Sequence, residues 1–401
     1  MDCDIAIVGA GPAGLALARS LADTSLHIVL LERQSCEQLA DPVFDGRDIA
    51  LTYLSRRLLC QLGAWEHIAP AEIAPLQCAR VLDGDSFRTL DFGDARTDAE
   101  PLGWLIANRL IRKALYKVTA PLDRVALRCG VAVERVVADA DGVHLALADG
   151  TTLRARLLVG ADTRFSTTRR HMGIGATMKD FGRVAIVCRM QHALPHEHTA
   201  WECFHYGRTL AILPMPGDAS SIVITVPADQ APDILAMEGE EFAQDVACRF
   251  GYRLGDMRLV SERIAYPLVA VHADRFVAQR FALIGDAAVG MHPVTAHGFN
   301  LGLSGVDLLA GEIRSQWQRG ADIASATVLA RYQSRHRLAT LPLFHGTNGI
   351  VSLFTDDRLP ARLARKAVLN LSERLPPVRW AIRHKLVSRD HVGGSLLTLL
   401  P

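Results

Sequence analysis

The first 33 residues constrain this chain more than any other stretch. Asp4-Ile5-Ala6-Ile7-Val8 is a short apolar run that enters Gly9-Ala10-Gly11-Pro12-Ala13-Gly14. A helix-like segment follows from Leu15 to Leu21, and His27-Ile28-Val29-Leu30-Leu31 ends in Glu32. The order is strand, glycine turn, helix, strand, acid. Each residue type suits a dinucleotide: Gly9 permits the tight turn, Gly11 lets the backbone approach a pyrophosphate, and Gly14 lets the helix lie close on the sheet. Free N–H groups at the helix start, around Ala13, hold the diphosphate. Pro12 suits the first turn because its missing N–H is not needed there. Glu32, 18 positions after Gly14, stands where a carboxylate accepts from a ribose hydroxyl. A glycine pattern alone is weak; strand, helix and acid at the required spacing make it specific. Whether the adenine belongs to FAD or NAD stays open at this point.

With 401 residues there is chain for two structural domains or one large composite. Nearly half the residues are hydrophobic and the net charge is only +1, so no bulk field recruits nucleic acid or a membrane. The 8 cysteines, at 3, 36, 60, 78, 129, 188, 203 and 248, form no Cys-x-x-Cys pair and no zinc-spaced cluster. They are expected to be reduced thiols, with no metal site. The N-terminus enters a strand almost at once, leaving no signal-peptide pattern, and no apolar run is long enough to span a bilayer. A cytoplasmic protein is expected.

Farther along, Thr52 to Gly63 is helix-like, Gln77 to Asp91 reads as a hairpin, Leu102 to Ala107 as a strand, and Asn108-Arg109 opens a helix to about Thr119. Strand patterns at 131–138, 143–148 and 153–160 form a meander. Alternating or apolar runs at 183–191, 200–206, 209–215 and 221–226 predict an inserted antiparallel sheet. Arg280 to Ile284 returns to a buried-strand pattern, and from Phe299 the chain is mostly helical.

Phe281-Ala282-Leu283-Ile284-Gly285-Asp286 repeats the logic of the opening: an apolar strand delivers a glycine and then a carboxylate. His292-Pro293 and Gly298-Phe299-Asn300-Leu301-Gly302 then form a small-residue loop opening a long helix, whose N–H groups favour negative charge ahead of them. Together with Gly160-Ala161-Asp162, Arg47-Asp48-Ile49-Ala50-Leu51 and Asn108-Arg109, these motifs resemble the single-component FAD aromatic hydroxylases of the para-hydroxybenzoate hydroxylase fold, and among them the ubiquinone-biosynthesis hydroxylases. The similarity covers roughly residues 1–350.

The resemblance implies an α/β fold: a Rossmann-like, three-layer ββα FAD-binding domain (1–75, 101–175 and 276–335), an antiparallel-sheet substrate domain inserted in it (76–100 and 176–275), and a helical C-terminal region (336–401). It implies FAD contacts at Gly9, Gly11, Ala13, Gly14, Glu32, Arg33, Arg47, Arg109, Asp162, Gly285 and Asp286, and flavin-ring contacts from Pro293, Gly298, Phe299 and Asn300. NAD(P)H and O2 are the implied co-substrates, and the implied route of ring hydroxylation is through a flavin C4a-hydroperoxide. The implied substrate is a polyprenylated phenol or quinol, with Trp201, Phe204 and Tyr206 as expected pocket wall. His297 is the candidate catalytic side chain beside Pro293, since an imidazole titrates near neutral pH.

Two departures stand out. The family's Asp-Gly is Asp162-Thr163 here, and a β-branched residue resists positive φ. Its Gly-Gln-Gly is Ala296-His297-Gly298. Between Arg358 and Arg389, seven further Lys or Arg residues face the single acid Glu373, interleaved with apolar side chains. That stretch suits an anionic lipid surface or another quinone-biosynthesis protein. Two other readings stay open: a flavin reductase or dehydrogenase that inserts no oxygen, and a non-catalytic flavin-holding scaffold.

Overall fold

A computed structural model describes residues 1–83, 89–93, 100–205, 207–292, 297–355 and 358. Five strands lie parallel in the order Phe281–Leu283, Thr152–Gly160, Cys3–Val8, Ile28–Leu31 and Val125–Arg128. Strands buried on both faces need continuous apolar runs; accordingly Ile5, Ile7, Leu30, Leu157 and Phe281 have no accessible surface. The helix Pro12–Ser20 packs against both Asn108–Thr119 and His297–Gln318 on this sheet. Val133–Ala138 and Val143–Leu147 branch from Thr152–Gly160 as an antiparallel meander, and their Val136, Val143, Leu145 and Leu147 join the same apolar core. A ββα layering results.

Among the described residues the second sheet has nine strands, and it carries most of the inserted segment. Ala176–His192, Ala219–Pro227, Arg208–Met215 and Thr199–His205 pair antiparallel, as the alternating runs predict. The next pairing departs from expectation: Thr199–His205 lies parallel to Cys78–Asp83. Those two strands come from distant segments, so no hairpin dictates their direction. One face of this sheet buries Ile186, Cys188, Ile222 and Ile224 against Phe242 and Val246 of the helix Gly239–Arg249 and Phe250 at its C-cap. A small third sheet pairs Asp48–Leu51, Gly103–Ala107 and Ala74–Leu76.

The long helices His297–Gln318 and Ala326–Thr355 close the cofactor side. They approach so tightly that a Cβ on Gly305 would lie 2.6 Å from the His336 ring. Tyr332, fully buried, donates its hydroxyl to Leu283 O at 2.6 Å and so ties the last helix to the strand that delivers Gly285. The basic stretch beyond Arg358 lies outside the described residues.

One expectation is corrected. Not all cysteines are free: Cys36 and Cys129 form a disulfide across a separation of 93 residues, with Cα atoms 5.5 Å apart. Cys36 begins a short helix just beyond Ile28–Leu31, and Cys129 follows Val125–Arg128. Parallel pairing of those strands sets Leu31 opposite Arg128 and brings both cysteines to one sheet end. Spacing in sequence carries no trace of that pairing.

Candidate functional site

The opening strand, turn and helix take the geometry their residue types predict. Gly9 has φ +106°, and a Cβ there would lie 2.5 Å from Ala161 O. A Cβ on Gly14 would lie 1.9 Å from Gly9 O, so only glycine lets the helix sit this low. Around Gly11 nothing lies within 4 Å of where a Cβ would be. Gly11 caps the helix Pro12–Ser20 without any side-chain hydrogen bond, so no capping side chain competes for the first-turn N–H groups. That is the cradle a diphosphate needs.

The second glycine-acid corner stacks on the first. Gly285, at φ +59°, brings its Cα hydrogens against Ala13, whose Cβ a substituent would meet at 2.9 Å. Gly302 in turn packs on Gly285: a Cβ there would be 3.3 Å from its Cα. Asp286 pairs with Arg164 at 3.0 Å, and Arg169 donates to Ala287 O at 2.9 Å. Three glycine-bearing segments, at 9–14, 285 and 302, thus form one corner.

Acids flank it. Glu32 accepts from the N–H of Ala10 at 2.7 Å and of Gln34 at 3.0 Å, which holds its carboxylate beside the glycine turn. Asp162 accepts from Thr168 N and Oγ1, both at 3.2 Å, while its Oδ1 is buried without a partner. Thr163 is not among the residues with positive φ, so the loop accommodates it at ordinary backbone angles.

The predicted arginines divide. Arg33 is exposed. Arg47 pairs with Asp45 at 2.6 Å and lies over the Tyr266 ring. Arg109 lies in the field of Asp41. It is Arg112, one helical turn on, that reaches Gln34 Oε1 at 2.8 Å and feels both Asp45 and Glu32; burial lowers its pKa. Sequence reasoning missed Arg112 and Arg164. The i, i+3 spacing from Arg109 was the only signal for the first.

At the flavin-side loop, Gly298, Phe299 and Asn300 lie in the first turn of His297–Gln318. Asn300 donates to Ala50 O at 2.8 Å and accepts from Thr52 N at 3.1 Å, so its amide binds the strand Asp48–Leu51 to this helix. His292 is buried edge-on against Phe181, and burial with Arg164, Arg183 and Lys179 nearby pushes its pKa down to about 4. It is neutral at physiological pH. His297 starts the helix; Pro293 lies outside the described residues. Of the expected pocket wall, Trp201 faces the other way, edge-on to Phe250 on the helix-covered side. Phe204, of opposite strand parity, is on the inward face, and Tyr206 lies outside the described residues.

The family model for the FAD binding domain matches residues 2–340. The chain belongs to this FAD-binding family. The flavoprotein is 47% identical to the ubiquinone hydroxylase UbiM of Neisseria meningitidis over 96% of its own length and 85% of that protein. It is 37% identical to the ubiquinone hydroxylase UbiL of Rhodospirillum rubrum, over 96% of this chain and 89% of that one. Its fold is similar to that of p-nitrophenol 4-monooxygenase PnpA from Pseudomonas putida, with TM-score 0.76 at 19% identity, covering 97% of this chain and 99% of that one. The flavoprotein is an FAD-dependent monooxygenase, with NAD(P)H and O2 as co-substrates. The open cradle at Gly11 and the partnerless buried Asp162 Oδ1 fit FAD on this chain's own geometry.

Proposed function

We propose that this monooxygenase hydroxylates the aromatic ring of a polyprenylated phenol or quinol during ubiquinone biosynthesis. The observation that carries the reading is the stacking of the two glycine-acid corners, Gly9 to Gly14 on Gly285 and Gly302, alongside a covered sheet face. Likeness to two ubiquinone hydroxylases supports the substrate class.

In this reading the Gly11 turn and the helix Pro12–Ser20 hold the diphosphate, Glu32 accepts from the adenosine ribose, and Asp162 and Asp286 hold the remainder of FAD. Arg112 joins Arg47 and Arg109 as the cations near the diphosphate. Bound FAD, reduced by NAD(P)H, supplies the activated oxygen. The chain's own contribution is a dry pocket and a fixed ring position. The Arg189–Asp48 pair, 2.7 Å long with the carboxylate fully buried, braces the second sheet against the cofactor side. Residues 1–75, 101–175 and 276–335 then act as the FAD-binding unit and 76–100 with 176–275 as the substrate unit.

A prenylated substrate resides in a membrane, and the same proposal puts the protein at the cytoplasmic face of that membrane. No described helix is long and apolar enough to cross one. Leu338, Leu341 and Ile350 on the last helix, and Met178 near it, are exposed. They suit a lipid surface, as does the basic stretch that follows.

The test is turnover under 18O2. Purified protein is expected to be yellow, to consume NAD(P)H, and to add one labelled oxygen atom to a short-chain prenylated phenol. NAD(P)H oxidation with unlabelled, reduced product would replace the hydroxylase with a reductase. Flotation with anionic liposomes, comparing the full chain with one ending near residue 359, tests the membrane contact; equal binding overturns the role of the basic segment.

A further inference from the structure

The inward face of the second sheet is laid out in rows by its register. One row runs Val81, Glu202, Ala211, Val223, Val187 and Ile264 across six strands. Gly46, in the cofactor unit, covers the far end of this row: a Cβ there would lie 3.5 Å from both Val187 and Ile264. The neighbouring rows end the same way, Tyr266 donating to Asp45 O and Arg189 bonding Asp48. Segment 45–48 thus closes one side of a trough floored by small side chains, Ala185, Ala211, Thr209, Thr225 and Val223. Within the row from Val81 to Ile264 a single carboxyl interrupts the apolar side chains.

That carboxyl is Glu202. Strand alternation puts Trp201 and Cys203 on the face packed against Phe250 and its helix, and Glu202 with Phe204 on the trough side. Among the described residues no side chain hydrogen-bonds or ion-pairs with it. Of the other charged groups of this face, Arg189 pairs with Asp48 and Arg183 donates to Gly207 O at 3.2 Å. On the adjoining strand Arg80 pairs with Asp91 at 3.3 Å and lies over Trp201. A carboxyl without a partner is costly to bury, so its place on this face calls for a partner that arrives with the substrate.

Resting on the hydroxylase reading, we propose that Glu202 is a catalytic residue, the base that takes the ring-hydroxyl proton of the prenylated phenol. The O–H bond breaks and its proton passes to the carboxylate. The ring carbon ortho or para to that oxygen bonds to one atom of O2, and the other atom leaves as water. NAD(P)H supplies the two electrons, loss of the proton on that ring carbon restores aromaticity, and Glu202 returns its proton to solvent. A neutral phenol is a poorer nucleophile than its anion, so this transfer sets the rate of oxygen insertion. Burial alone raises the Glu202 carboxyl, to about 8, close to the working pH at which a general base is most effective. The Cys203 thiol beside it in sequence, on the opposite face, is pushed up to about 12 by burial first and Glu202 second, and stays protonated. Tyr266, at the far side, is raised by burial and stays neutral.

The experiment compares FAD-loaded wild type, Glu202→Gln and Glu202→Asp with 2-geranylphenol as probe, following flavin reduction, O2 uptake, peroxide release and product. Glu202→Gln is expected to bind FAD and to be reduced at the wild-type rate. Product formation should fall on the order of 100-fold, with the consumed O2 released as peroxide, and Glu202→Asp should recover part of it. Below about pH 8 the wild-type hydroxylation rate should rise roughly tenfold per pH unit, and the variant should lose that slope. Wild-type turnover with an equally coupled Glu202→Gln of unchanged pH profile overturns the assignment alone. A wild type that reduces O2 but never forms product overturns the hydroxylase reading and this role with it. Should Glu202→Gln fail to load FAD, the wild-type profile decides: a flat rate from pH 6 to 9 overturns the assignment, and the rise upholds it.

Discussion

Gly11 and Gly14 stand three positions apart in the same turn and serve different ends. Gly14 is required by the protein itself, since any Cβ there meets Gly9 O. Gly11, at φ −71° with open space around it, is tolerant of alanine until a ligand arrives. Gly11→Ala is therefore expected to keep the wild-type melting temperature without flavin while weakening FAD at least tenfold, a change of about 1.4 kcal/mol. Gly14→Ala should lower the melting temperature of the flavin-free chain as well. Calorimetry of both apo proteins with a flavin titration checks the pair. The glycines were legible in the sequence because their constraint is local. Arg112 and Arg164 were not: which of two arginines a turn apart faces Glu32 depends on how the helix Asn108–Thr119 is rotated, and no local rule sets that.

Helices and strands were foreseen wherever the apolar period was long, as in Asn108–Thr119 and Thr152–Gly160. What period could not supply was partnership. Cys78–Asp83 reads as half of a hairpin, and it is, with Thr89–Gly93; its other neighbour is a parallel strand more than 100 residues on. The link from Asn300 to Ala50 and Thr52 is of the same kind, joining the last functional loop to the small third sheet. Asn300→Ala should leave both backbone groups short of a partner at a cost of about 1–3 kcal/mol. Urea unfolding measures that cost, and slower FAD loading than wild type is the expected functional trace. Unchanged unfolding would show that the amide does not hold these elements together.

Across the whole molecule, burial governs how stability follows pH. His292 and His336 are buried at 6% and 1% exposure, and burial pushes both from the ordinary 6.5 down to about 4. Their folded pKa is depressed, so as pH falls the unfolded chain takes up protons before the native one. Stability from these histidines is fully present above pH 6.5 and lost toward pH 4, on the order of 3 kcal/mol each. The urea midpoint is expected to drop across that window, and His336→Leu should flatten the drop. By itself the sequence determined the class of fold and the dinucleotide corner, because glycine spacing and apolar period act over a few residues and need no partner. Tertiary structure alone decided which distant segments meet: Gly285 on Ala13, Cys36 on Cys129, Trp201 turned outward and Glu202 turned in. Those outcomes follow from strand pairing, face parity and close packing, in which a residue's role is set by neighbours far away in the chain.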